Sequence, residues 1–171
     1  TEHMMAYLIG KEEKLSIVTD VDGEHQDFFN EQDRLHLADV RKLFLGGLKL
    51  RNYAVILATI LMIVLRAKKA DFRRLVPLGY LQALFVYLIL AAILGVAMSI
   101  DFTSCFTLFH KLFFTNNLWI FDPETDYMIR MLPEGFFSDM VIRIGVIFIV
   151  LLAVPGVAAV VYNWKWKKER N

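Results

Sequence analysis

Apolar residues in this chain gather in three long blocks rather than scattering as the short periodic runs of a soluble core. The blocks cover 43–65, 76–100 and 141–163. A helix rising about 1.5 Å per residue needs roughly 20 apolar residues to cross about 30 Å of hydrocarbon, and each block meets that length. The second carries no charge. The first holds Lys49 and Arg51 in its outer third, and the third holds only Arg143 near its start. Three membrane-spanning helices are therefore predicted, with Pro155 bending the last. Trp164 and Trp166 follow it as an interfacial aromatic belt would.

The segments between the blocks read differently. In 1–42, the short apolar runs Tyr7–Ile9 and Leu15–Val18 are compatible with strands or with loose packing on a membrane. Asp22-Gly23 marks a turn. Asn30 is a natural cap for a helix starting at Glu31 and running through DRLHLADVRKLF. Along that helix His36 stands one turn from Asp33 and from Asp39. Gly46-Gly47 is expected to loosen the helix where it meets the membrane. In 101–140, Phe102, Phe106, Phe109 and Phe113 recur at helical spacing and form a stripe, with His110 at its edge. Asn116 and Asn117 stop that helix. Asp122 and Pro123 then read as cap and first residue of a short helix, 124–132, ending at Pro133. Ser138 is a candidate cap for the last span.

Composition sharpens the class. Apolar and aromatic residues make up 57% of the 171 residues and mean hydropathy is +0.47, more than a soluble domain of this size needs. The net charge of +1 hides a segregation. Arg66, Lys68, Lys69, Arg73 and Arg74 lie between the first two spans, and Lys165, Lys167, Lys168 and Arg170 follow the third. Basic flanks stay cytoplasmic, and a three-span arrangement puts both on one side. The expected organisation is an extracytoplasmic segment 1–42, a span 43–65, a cytoplasmic loop 66–75 and a span 76–100. An extracytoplasmic aromatic segment 101–140, a span 141–163 and a cytoplasmic tail 164–171 follow. Segment 1–42 is thus placed outside with no signal peptide to export it, which predicts a further N-terminal helix ahead of Thr1.

The sequence offers no glycine-rich phosphate loop, HExxH or GxSxG, and Cys105 is the single cysteine. Charges are absent at mid-depth in the second and third spans, which argues against an ion or proton transporter. From periodicity alone, an aromatic stripe beside a bilayer is an interfacial belt and a lone histidine on an outer helix is a packing residue. Lys49 and Arg51 then simply reach for headgroups.

The combination DRLHLADVRKLF, then DFTSCFTLFHKLFFTNNLWIFDPETDYMI, then LPEGFF resembles the lipoprotein intramolecular transacylases, small bacterial membrane enzymes of four helices with an extracytoplasmic cap. The likeness runs over nearly the whole chain. Asp33 departs from it, standing where a glutamate is expected. The resemblance implies a mainly α polytopic protein of the bacterial cell membrane whose substrate is a diacylated lipoprotein. The sn-2 acyl chain would move from the glyceryl oxygen to the amine of the N-terminal cysteine, giving the lyso form. It implies His36 and His110 as the catalytic pair. Asp33, Asp39, Arg51, Asn117, Trp119, Asp122 and Tyr127 are the supporting candidates, and Phe106, Phe109, Phe113 and Phe114 are candidate pocket walls.

That chemistry suits two imidazoles. Attack of the amine on the ester closes a ring of about eight members, whose ordering cost a confining pocket can meet. The amine must lose a proton and the departing alkoxide must gain one, tasks for imidazole near neutral pH. The expected arrangement has His36 as base, its ring held by Asp33 or Asp39, and His110 as the electrostatic partner. Arg51 and Lys49 are candidates for fixing polar parts of the substrate. No cofactor, metal or nucleic acid is implied; zinc is disfavoured because neither histidine has an i+4 histidine partner. The competing expectation is a non-enzymatic accessory or lipid-binding membrane subunit that uses the aromatic segment for contact.

Overall fold

The computed structural model describes residues 2–170, with side chains through Lys168. Its elements in chain order are α1 (Glu2–Leu8), β1 (Val18–Val21), β2 (Glu24–Asp27), α2 (Glu31–Ala67), α3 (Phe72–Ile100), α4 (Phe102–Phe113), α5 (Tyr127–Met131) and α6 (Glu134–Arg170). The chain divides into two compact units. One is formed by the chain through Leu57 with Phe106–Phe137; the other by Ala58–Cys105 with the chain from Ser138 onward.

Three helices, α2, α3 and α6, are long and apolar enough to cross a membrane. In α2 and α3 none of the most apolar window is buried within the protein, and in α6 only 6% is. Water would not tolerate so much exposed aliphatic surface, whereas a bilayer requires it. The spans 43–65, 76–100 and 141–163 fall inside these helices. The expected loosening at Gly46-Gly47 does not occur: α2 runs unbroken through both glycines. Hydrocarbon offers freed backbone groups no alternative partner, so a helix there persists despite residues that would weaken it in water.

Within the second unit, α3 and α6 approach closely. A Cβ at Gly156 would stand 2.7 Å from Leu84 Cδ2, so glycine lets the helices meet there without displacing that side chain. One turn earlier, Tyr80 donates its hydroxyl to the Leu152 carbonyl at 2.7 Å. α6 continues helically through Pro155, which removes one N–H from the ladder nearby.

The first unit is built on the chain's amphipathic parts. β1 and β2 form a hairpin in register Val18↔Asp27 to Val21↔Glu24. Asp22 (φ 53°) and Gly23 (φ 88°) make its two-residue turn, the backbone that a tight hairpin demands. The run Tyr7–Ile9 closes α1 instead of forming a strand, and buries Tyr7 and Leu8. With Met4, Leu15, Phe29, Leu37 and Met128 they form the core. α2 begins as expected. Asn30 Oδ1 accepts the Asp33 N–H at 2.8 Å and Asp33 Oδ2 accepts the Asn30 N–H at 3.2 Å, a reciprocal cap.

Two expected boundaries are corrected. No helix spans 124–132; residues 123–125 form a turn and α5 covers only Tyr127–Met131. The Asp122 carbonyl closes that turn, accepting the Thr125 and Asp126 N–H groups at 3.1 and 2.8 Å, and side chains brace it. Asp122 Oδ1 accepts the Glu124 N–H at 2.9 Å, and Asp126 Oδ2 accepts the Asp122 N–H at 2.6 Å. Likewise α6 starts at Glu134, directly after Pro133, so Ser138 lies inside the helix rather than capping it.

Candidate active site

Every residue of the candidate site belongs to the first unit. The reciprocal cap at Asn30 sets the phase of α2, placing His36 and Leu37 on its inward face, both buried. α4 contributes His110, also buried. The two imidazole rings lie 6.0 Å apart between centroids at 25°, stacked one over the other. Phe114 touches both, at 5.2 Å from His36 and 5.5 Å from His110. Phe121 closes on His36 at 5.3 Å. Phe106, Trp119 and Phe109 surround His110 at 4.3, 5.0 and 5.5 Å.

The 116–126 loop is tied to α2 by polar contacts. Asn116 donates to Asp39 Oδ2 at 2.9 Å, while Lys42 donates to Asp39 Oδ1 at 2.9 Å. Trp119 donates its ring N–H to the Asn116 carbonyl at 2.9 Å, which fixes the indole beside His110. Gln32 donates to the Ile120 carbonyl at 2.8 Å and the Leu118 carbonyl at 3.3 Å. Asn30 donates to Asp126 Oδ1 at 2.5 Å.

These surroundings hold both imidazoles neutral at pH 7. Burial pushes His36 down to about 4, the adjacent His110 adds to the effect, and Asp39 opposes it. Burial also lowers His110, opposed by the Phe106 carbonyl. That carbonyl is 2.8 Å from His110 Nδ1 and can only accept. Nδ1 therefore carries the hydrogen, and Nε2 presents its lone pair. His36 Nδ1 is buried with no partner among the described residues, a polar atom free for a bound molecule.

The other candidates sort unevenly. Asp33 is fully buried in the cap beside Asn30, and Asp39 is engaged by Lys42 and Asn116, so neither carboxylate hydrogen-bonds the His36 ring. Of the two, Asp39 acts on His36 through its charge. Arg51 is exposed and donates to Asn52 Oδ1 at 3.2 and 3.0 Å, away from the histidine cluster. Asn117 is exposed; Asn116 makes the contact expected of it. Asp122 shapes the turn, and Tyr127 rests on Phe28 at 6.1 Å under the Arg130 guanidinium at 4.7 Å. Phe113 meets Phe109 at 4.8 Å but is 54% exposed. Sequence reasoning missed Phe121, Gln32 and Asp126, which lie in irregular chain or at a helix start and belong to no periodic pattern. His3 and His25 are exposed and pair with Glu12 and Asp20.

A family model described as lipoprotein intramolecular transacylase Lit matches residues 1–137, which include the whole histidine cluster. The chain belongs to the lipoprotein intramolecular transacylase family. It is thus an acyltransferase rather than an accessory subunit. The structure matches that of the membrane-integral transacylase Lit from Bacillus cereus at TM-score 0.70 and 27% identity, over 99% of this chain and 72% of that one. Two structures of the same Bacillus cereus enzyme, each with one histidine replaced, match at TM-scores of 0.63 and 0.62 and 26% identity. They cover 99% of this chain and 70% and 69% of theirs. No curated protein matches.

Proposed function

We propose that the chain moves the sn-2 acyl group of a diacylglyceryl lipoprotein to the amine of its N-terminal cysteine, with the two buried histidines as the catalytic pair. The observation that carries this reading is their stacking at 6.0 Å inside an aromatic enclosure. The enclosure supplies the orientation an eight-membered closure needs and excludes the water that would hydrolyse the ester.

The hydrogen bond from His110 to the Phe106 carbonyl supports roles in the reverse of the order expected from sequence. His110 Nε2 takes the proton from the amine as nitrogen attacks the ester carbonyl. The oxyanion that forms accepts a hydrogen bond from neutral His36 through its unpartnered Nδ1. A neutral imidazole can serve as such a donor where burial keeps it uncharged. Collapse of the tetrahedral intermediate breaks the bond to the glyceryl oxygen, and His110 returns the proton to that oxygen. One amide replaces one ester, with no covalent enzyme intermediate and no acyl donor beyond the substrate itself. In this reading the site faces the extracytoplasmic side, where the positive-inside pattern places segments 1–42 and 101–140.

The test uses isotopic labelling. A diacylated lipoprotein with unlabelled chains is given to the enzyme in vesicles of acyl-labelled phospholipid, and the product is read by mass spectrometry. The expected product carries an unlabelled N-acyl group and one remaining glyceryl ester. Label in the amide would show transfer from phospholipid and overturn the intramolecular route.

A further inference from the structure

α4 has two apolar sides, and the site accounts for only one. His110 and Phe106 look inward. Across the helix, about 160° around at 100° per residue, Leu108 is 57% exposed and Leu112 72%. Between these sides stand Phe109 and Phe113, 43% and 54% exposed. Thr103, Thr107, Lys111 and Ser104 complete the circumference as a polar strip. A water-facing helix would put polar residues where Leu108 and Leu112 stand.

The chain itself indicates what covers them. α4 begins at Phe102, with one residue between it and the end of α3 at Ile100. α3 is a span whose apolar surface is not buried by the protein, so its end marks the hydrocarbon boundary. Asp101 occupies the junction, its carboxylate accepting from Ser104 N–H and Oγ at 2.9 and 2.6 Å. A helix that starts at this boundary with a Leu-Phe face and a Thr-Lys strip has the pattern of an interfacial helix.

We propose that Leu108, Phe109, Leu112 and Phe113 are immersed in the acyl chains of the leaflet that meets Ile100, and that the substrate reaches the histidines from that side. Phe109 joins the two sides: its ring lies 5.5 Å from His110 and is also part of the exposed face. A lipid-anchored substrate then slides its ester sideways past Phe109 without its acyl chains leaving hydrocarbon. Withdrawing one chain into water would expose every one of its methylenes, each at a hydrophobic cost. The substrate route rests on the transacylase reading above; the immersion of the face does not.

The experiment separates the two. In a Cys105→Ala background, nitroxide labels are placed at Leu112→Cys and Lys111→Cys, and the protein is reconstituted in phosphatidylethanolamine–phosphatidylglycerol vesicles. Power-saturation measurements compare collision with oxygen and with a water-soluble nickel complex. Oxygen should dominate at position 112 and nickel at position 111. Equal nickel access at both overturns the proposal in favour of a solvent-facing helix. Shielding of 112 from both reagents, with spin–spin broadening, overturns it in favour of a second copy. For the route, Leu108→Asn/Leu112→Asn should slow turnover of a vesicle-embedded lipoprotein about tenfold while changing that of a short-chain, detergent-dispersed analogue by less than about twofold. Equal slowing of both overturns lateral access even if the labels report immersion.

Discussion

Asp33→Asn should stabilise this protein at pH 7 and make it more sensitive to acid. Asp33 is fully buried and its Oδ1 has no partner among the described residues. Burial, with the nearby Asp126 carboxylate adding to it, raises it from 3.8 to about 6 despite the Asn30 N–H. Ionising it at pH 7 in the folded protein therefore costs about 3 kcal/mol. The folded value lies above the unfolded one, so this stability is fully present below about pH 3.8 and is lost as pH rises through about 6. His36 works in the opposite sense. Its folded value of about 4 lies below the ordinary 6.5, so its stability is present above 6.5 and is lost as pH falls towards 4, again by about 3 kcal/mol. In the native protein the two slopes oppose each other between about pH 4 and 6. Asparagine keeps an acceptor for the Asn30 N–H and removes the charge. A gain of about 1–3 kcal/mol at pH 7, or about 2–4 °C in Tm for each kcal/mol, should shrink to nothing by pH 4. The assay is thermal unfolding in detergent across that range, followed by Trp119 fluorescence with Trp164 and Trp166 replaced by Phe. A Tm lowered at pH 7 with an unchanged pH slope would refute the reasoning, since it would mean that the carboxylate is ionised and paired.

His36→Ala and His110→Ala should each reduce kcat about 10²-fold or more, measured as lyso-form product per minute with membrane insertion unchanged. With the titration of the substrate's own amine divided out, activity against pH should hold its plateau down to below 6.5, since burial lowers both imidazoles from their ordinary value; a remaining acid limb at or above 6.5 would contradict that. Asn116→Ala should release the Leu118 N–H and leave Asp39 with only Lys42, loosening the loop that carries Trp119 and lowering kcat by about tenfold with a Tm drop worth about 1 kcal/mol. A cysteine at Lys69 should be protected from an impermeant thiol reagent in intact cells and one at Glu124 labelled; the reverse pattern would invert the topology.

The spans were legible because hydrocarbon is a uniform solvent that asks only for length and apolarity. The Asn30 cap and the Asp22-Gly23 turn were legible because each rests on local backbone chemistry. The two histidines were legible through the family likeness; nothing in their spacing, 36 and 110, indicates that their rings stack. What escaped depends on partners distant in sequence. Asp33 stands one turn from His36, yet Asn30 claims it. Asn116 and Asn117 are indistinguishable until Asp39 comes within reach of one of them. The helix expected over 124–132 failed because the Asp126 carboxylate turns back to the Asp122 N–H, and that carboxylate is itself held by Asn30.

The unbroken run of α2 from Glu31 to Ala67 makes the helix a ruler. His36 precedes the start of the span at Leu43 by seven residues, which a helix converts to about 10 Å along its axis and about two turns in phase. The depth of the His36 imidazole relative to the apolar block is thus written in residue count, and a ruler cannot be edited in fractions. One residue inserted between Leu37 and Leu43 would lift the imidazole only about 1.5 Å, yet swing it about 100° off the face it shares with His110. Four residues would nearly restore the phase and raise the ring about 6 Å farther from the apolar block. The spacing between His36 and the membrane therefore has almost no neighbouring solutions.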